Sequence, residues 1–104
     1  MSVPEVTVEE LARVREQGAP LIDVRQPQEW EALRAPGAVL IPLADLVERI
    51  DEVPEDGTVY VICQTGARSA RAVEHLRKIG IDAVNVAGGS KAWAEAGYPV
   101  ESGP

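Results

Sequence analysis

The 104 residues are 45% hydrophobic and 26% charged, the balance of one compact domain with its own core and too little chain for two. A formal charge of −7, with 10 Lys and Arg scattered along the chain, argues against nucleic acid as the main partner. The single cysteine excludes an internal disulfide, and no apolar run approaches the ~20 residues needed to span a bilayer. The start, Met1-Ser2-Val3-Pro4-Glu5, has no basic stretch followed by an apolar one. The expectation is therefore one soluble, cytoplasmic domain over residues 1–104 with no membrane partner, its end at 102–104 a loose tail without apolar anchors.

In chain order, Thr7 and Glu10 form a capping box before an apolar stripe of Val8, Leu11, Ala12 and Val14 that stops at Gly18, which predicts a first helix. Pro20-Leu21-Ile22-Asp23-Val24 reads as a buried strand, and Pro27 opens a short helical turn through Glu29, Trp30 and Ala32. The polar Asp23 near the end of that strand calls for an explanation. Pro36-Gly37 breaks the chain, Ala38 to Ile41 is a second strand, and Leu43 to Ile50 has helical spacing with Leu46, Val47 and Ile50 on one side. Thr58-Val59-Tyr60-Val61-Ile62 lacks polar alternation and belongs at the centre of a sheet covered on both faces. A helix from Ser69 to Ile79 follows, with Ala72, Val73, Leu76 and Ile79 inward and Gly80 as its stop. A last strand, Ala83 to Val86, leads through Gly88-Gly89 to a helix over Ser90–Ala96. Strands alternating with helices at these intervals predict an α/β domain with a mainly parallel sheet, flanked by helices. Ligands in such sheets bind beyond the carboxyl ends of the strands, which points to the segments after Val24, Ile62 and Val86.

Cys63 follows the central strand directly, then come Gln64, Thr65, Gly66, Ala67 and Arg68, with Ser69 opening the helix. A short loop of small residues running into a helix can turn its backbone N–H groups toward an anion at its centre. That anion would be a Cys63 thiolate or its persulfide, and only the thiolate is a competent nucleophile. A lone cysteine at the end of an apolar strand is also a common small core residue. The immediate succession of strand, Cys, Gly-containing loop, Arg and helix favours the catalytic reading. Arg68 suits either attraction of an anionic substrate or an ion pair that holds the loop. Ser69 is placed to cap the helix. With one His and one Cys, no transition-metal site is expected, and the two tryptophans suit packing better than substrate contact.

Leu21 to Arg25, Glu29-Trp30, Pro36-Gly37-Ala38, Ile41-Pro42-Leu43, Cys63 to Ser69, and Gly88-Gly89 with Trp93, Gly97 and Pro99 together resemble, in order, the signature segments of single-domain rhodaneses. The resemblance implies a five-stranded, mainly parallel sheet with helices on both faces. It implies a sulfurtransferase that moves sulfane sulfur from thiosulfate or a persulfide donor to cyanide or a thiol through a Cys63 persulfide, with Gln64 to Ser69 as substrate-binding loop and no cofactor. Asp23 and Arg25 resemble the family's Asp-x-Arg element, whose implied job is bracing that loop. Four residues separate Cys63 from Arg68; phosphatases of the same fold have one more, so the shorter ring resembles the sulfurtransferase branch. The alternative is a sulfur carrier that relays persulfide between protein partners with weak thiosulfate activity. Two positions depart from the pattern: Arg34 stands where many relatives have His, and Leu40 where a polar residue is common.

Overall fold

A computed structural model of the chain describes residues 3–104; Met1 and Ser2, part of the start read above for a leader, lie outside them. Five strands form one sheet: β1 (Glu5–Val6), β2 (Leu21–Asp23), β3 (Val39–Leu40), β4 (Val59–Ile62) and β5 (Ala83–Val86). Their order is β1-β5-β4-β2-β3, and every pairing is parallel. The helices are α1 (Val8–Glu16), α2 (Pro27–Ala32), α3 (Ala67–Lys78) and α4 (Gly89–Glu95). From β2 the chain moves outward to β3, and from β4 it moves the other way to β5. The connections therefore diverge between β2 and β4, which opens a crevice beyond their carboxyl ends.

Alternation along β2 and β4 divides the core in two. On one face Ile22, Val59 and Val61 pack with Ala72, Val73 and Leu76 of α3. On the other, Leu21, Ile62 and Val86 pack with Val8 and Leu11 of α1 and Trp93 of α4. Each fully buried Val, Leu or Ile contributes ~1.5–3 kcal/mol, so covering both faces fixes the register of the central strand. Helices thus flank the sheet on both sides. The capping box at Thr7 forms as its spacing requires, with Glu10 N–H donating to the Thr7 hydroxyl and the Glu10 carboxylate accepting from Thr7 N–H.

Four features differ from the expectations. The edge strand β1 has only two residues, too few to show a period, yet the Val6 carbonyl and that of Pro4 just before the strand accept from the Ala87 and Asn85 N–H groups. Leu43 to Ile50 does not form a helix: it makes 3₁₀ turns at Leu43–Asp45 and Ile50–Glu52. In that period of three, Leu43 falls with Leu46 and Ile50 with Val53 on the core, while Val47 points out at 66% exposure. At the end of α3, Ile79 is exposed and Ile81 enters the core instead, because the helix stops at Lys78. The carboxyl end is tied down: Arg34 and Glu101 exchange backbone hydrogen bonds, and the Arg34 guanidinium donates to the Gly103 carbonyl at 2.6 Å. That guanidinium also stacks on Trp30, so the arginine at this unusual position anchors a tail that has no apolar anchor of its own.

Candidate active site at the end of the central strand

Cys63 lies directly after β4, beside the divergence point, and is 1% exposed. Gly66 N–H donates to its Sγ at 3.1 Å and the Ser69 hydroxyl approaches at 3.3 Å. Three ties give the loop this inward turn. Ser90 N–H and Ser90 Oγ, at the start of α4, both donate to the Cys63 carbonyl at 2.8 Å, and Lys91 N–H donates to the Gln64 carbonyl at 3.1 Å. Peptide groups are planar and trans, so carbonyls drawn outward to α4 leave the following N–H groups facing the sulfur. The approach of α4 depends on Gly89, where φ is +59° and a Cβ would overlap the Cys63 and Gln64 carbonyl oxygens. At Gly66 a φ of +109° turns the loop into α3.

These contacts favour the thiolate. Burial is the largest single influence on the Cys63 thiol and pushes its pKa up, but the Ser69 hydroxyl and the backbone N–H groups of Ser69, Gly66 and Thr65 together outweigh it. The net result lies below the ordinary thiol value. Hydrogen bonds to the charged form stabilise it strongly in a site closed to water.

Of the loop residues, Gln64, Thr65 and Ala67 are exposed, whereas Gly66 and Ser69 are buried. Ser69 does not cap α3. Gly66 holds the cap position without a side-chain bond, and the Ser69 hydroxyl lies between Cys63 Sγ and Asn85 Oδ1. The Arg68 guanidinium is turned to α2, in a two-pronged pair with both carboxylate oxygens of Glu29 at 2.8 Å. Asp23 and Arg25, 1% and 2% exposed, form a buried ion pair at 2.9 Å. Arg25 also donates to the Leu33 carbonyl at 2.7 Å and reaches Gln64 Oε1 at 3.4 Å, joining the ends of β2 and α2 to the loop. A cleft of about 550 Å³ opens beside them, lined by Arg25, Glu29, Leu33, Gln64, Ser90 and Lys91 among others.

Sequence reasoning passed over Ser90, Glu29 and Asn85 as members of this site. Asn85 carried the same signal as Asp23, a polar residue inside a short apolar strand, and both prove to be buried near the carboxyl ends of their strands. The residue pattern held no comparable signal for Ser90, and Glu29 stood only in a segment of the family resemblance; their contacts with the loop span 27 and 39 residues of chain. Among the described residues no three His, Cys, Asp or Glu side chains gather as a metal would need, and no helix is long and apolar enough to cross a membrane.

The model of the Rhodanese-like domain family matches residues 7–96. The chain belongs to the rhodanese-like family. The Mycobacterium tuberculosis protein named Probable adenylyltransferase/sulfurtransferase MoeZ is 44% identical over 82 residues, covering 76% of this rhodanese-like domain and 21% of MoeZ. The chain thus spans about a fifth of that relative. An Allochromatium vinosum protein named Sulfurtransferase is 37% identical over 81 residues, 77% of this chain and 76% of its own. The crystal structure of a rhodanese-related protein from Thermoplasma volcanium superposes with a TM-score of 0.89 at 33% identity, covering 95% of this domain and 98% of that chain. Relatives of this rhodanese-like domain thus carry the names sulfurtransferase and sulfur carrier.

Proposed function

We propose that this rhodanese-like domain is a sulfurtransferase that carries sulfane sulfur as a persulfide on Cys63. The observation that supports this most is the convergence of Gly66 N–H and the Ser69 hydroxyl on a buried Cys63 Sγ. With thiosulfate as donor, the Cys63 thiolate attacks the outer sulfur. An S–S bond forms to Sγ, the bond between the two thiosulfate sulfurs breaks, and sulfite leaves with its electron pair. The persulfide's terminal sulfur, now anionic, lies among the loop N–H groups, which suit a diffuse sulfur anion. A cyanide or thiol acceptor then bonds that terminal sulfur, and the S–S electrons return to Sγ as thiolate. Gln64, Thr65, Gly66, Ala67, Arg68 and Ser69 form the wall around this exchange, and Asp23 with Arg25 braces it from β2. Because Arg68 is engaged by Glu29 and Arg25 by Asp23, the cation offered to an anionic donor in the cleft is Lys91.

A second reading, a carrier that relays persulfide between protein partners, draws support from the cleft. At about 550 Å³ it is in the range of sites for ligands much larger than thiosulfate, and it suits the end of a polypeptide or a larger thiol. Intact mass after incubation with thiosulfate, then cyanide, tests both. A gain of ~32 Da that cyanide removes with fast thiocyanate release, and that Cys63→Ser loses, supports the sulfurtransferase. Sulfur gained only from a protein persulfide selects the carrier. No gain from any donor overturns both.

A further inference from the structure

The Ser69 hydroxyl has one proton and two acceptors. Its Oγ lies 3.3 Å from Cys63 Sγ and 2.5 Å from Asn85 Oδ1, and a serine donates only once. Asn85 cannot relieve the conflict by turning its amide over. Its Nδ2 lies 2.9 Å from Glu5 Oε2 and 3.2 Å from the Gly66 carbonyl. Both of these partners are acceptors, so the NH₂ group must face them and Oδ1 must face Ser69. A relay thus runs from Glu5, on the exposed edge strand, through Asn85 and Ser69, 1% and 0% exposed, to the buried sulfur.

We infer that Asn85, locked by Glu5 and the Gly66 carbonyl, is a positioning residue that competes with Cys63 Sγ for the single proton of Ser69, and so limits how far that hydroxyl stabilises the sulfur anion. In the thiol state every group is satisfied: Ser69 donates to Asn85, and the S–H can donate to Ser69 Oγ. When the thiol proton leaves to solvent, the Ser69 proton turns to Sγ and Asn85 Oδ1 loses its donor. Forming the thiolate therefore costs one buried hydrogen bond, a loss felt strongly away from water. In the persulfide the charge moves to the terminal sulfur, and the Ser69 proton can return to Asn85. The consequence is a thiolate kept more basic than the loop alone would make it, and nucleophilicity of a thiolate rises with its basicity.

This inference rests on Cys63 being the reacting sulfur, and its test needs no sulfur donor, so failure of the transfer reading would leave the outcome readable. The measurement is the pH midpoint of Cys63 alkylation by iodoacetamide, followed by intact mass, for Asn85→Ala, Ser69→Ala and the double variant. The other charges about the loop, the Asp23–Arg25 and Glu29–Arg68 pairs and Lys91 of α4, stay the same throughout. Asn85→Ala is expected to lower the midpoint by about one pH unit, a tenfold gain in thiolate below it, and to have no effect once Ser69 is Ala. A raised or unchanged midpoint, or an equal fall in both backgrounds, overturns the inference. Should Asn85→Ala fail to fold, Glu5→Ala on the exposed strand decides. It leaves the amide held by one carbonyl and freer to present Nδ2 to Ser69, so the midpoint falls, by less, and more with Ser69 than without it. A Glu5→Ala shift of the same size in both backgrounds would be a through-space charge effect, and would overturn the relay.

Discussion

The two sides of the Cys63 loop handle charge in opposite ways. On the inner side the sulfur faces neutral donors, the Gly66 N–H and the Ser69 hydroxyl, in a place closed to water. On the outer side stands a full ion pair, Arg68 with Glu29, whose side chains are 36% and 29% exposed. Fixed dipoles in a dry site act at close to full strength, whereas an exposed pair is screened and contributes little. The formal charges therefore shape the rim, and the neutral groups govern the sulfur. The buried Asp23–Arg25 pair is a third case: charge taken inside, fully hydrogen-bonded, and spent on joining elements rather than on facing Sγ.

The strongest way to break this contrast is to strip the buried pair. Asp23→Ala leaves the Arg25 guanidinium buried beside the loop without its carboxylate, and removing one partner of such a pair costs about 3–5 kcal/mol. Urea unfolding of the variant should show a loss of that size. A loss below about 1 kcal/mol would mean that Arg25 escapes to the cleft and braces nothing. Next in size comes the seam between the loop and α4. Gly89→Ala places a methyl group against the Cys63 and Gln64 carbonyls at a positive φ, and is expected to cost about 2–4 kcal/mol and to slow Cys63 alkylation, because the carbonyls can no longer stay turned toward Ser90 and Lys91. A stable variant with unchanged alkylation would show that the loop keeps its shape without α4.

How much of this was legible in the sequence follows the range of each contact. The strands β2, β4 and β5 declared themselves as apolar runs, α1 by its capping box, and Cys63 by its place between the central strand and a helix. The Leu43–Ile50 segment did not, because eight residues with apolar positions at mixed spacing fit a 3₁₀ path as well as an α-helical one. Arg68 was ambiguous for a different reason: its partner Glu29 lies 39 residues away, and only the folded chain brings α2 beside α3. The tail was misjudged on composition, since Arg34 holds it through backbone carbonyls that any residue offers. Asn85 could have been found, given that an amide in the middle of Ala-Val-Asn-Val requires a buried partner.

Smaller effects sharpen the same contrast. Ser69→Ala removes a hydroxyl donor from the thiolate; a hydrogen bond to a charged group is worth about 1.5–3 kcal/mol, but this one is made at the expense of the bond to Asn85, so the alkylation midpoint is expected to rise by about one pH unit. An unchanged midpoint would leave the backbone donors as the whole of the stabilisation. The rim should respond far less. The Arg68 hydrogen bond first, with Gln26 N–H behind it and against the opposing effect of burial, holds the Glu29 carboxyl down from the usual 4.5 to about 2. A carboxyl lowered in the folded state stabilises above its ordinary value and loses that contribution as the pH falls toward the folded one. Because the pair is exposed and screened, Glu29→Gln is expected to lower stability by less than about 1 kcal/mol at pH 7. The gap between the melting temperatures of wild type and variant should narrow as the pH falls from 5 to 3. A gap that stays constant over that range would mean that Glu29 acts through packing on α2, and that the outer side of the loop holds no charge-dependent stability at all.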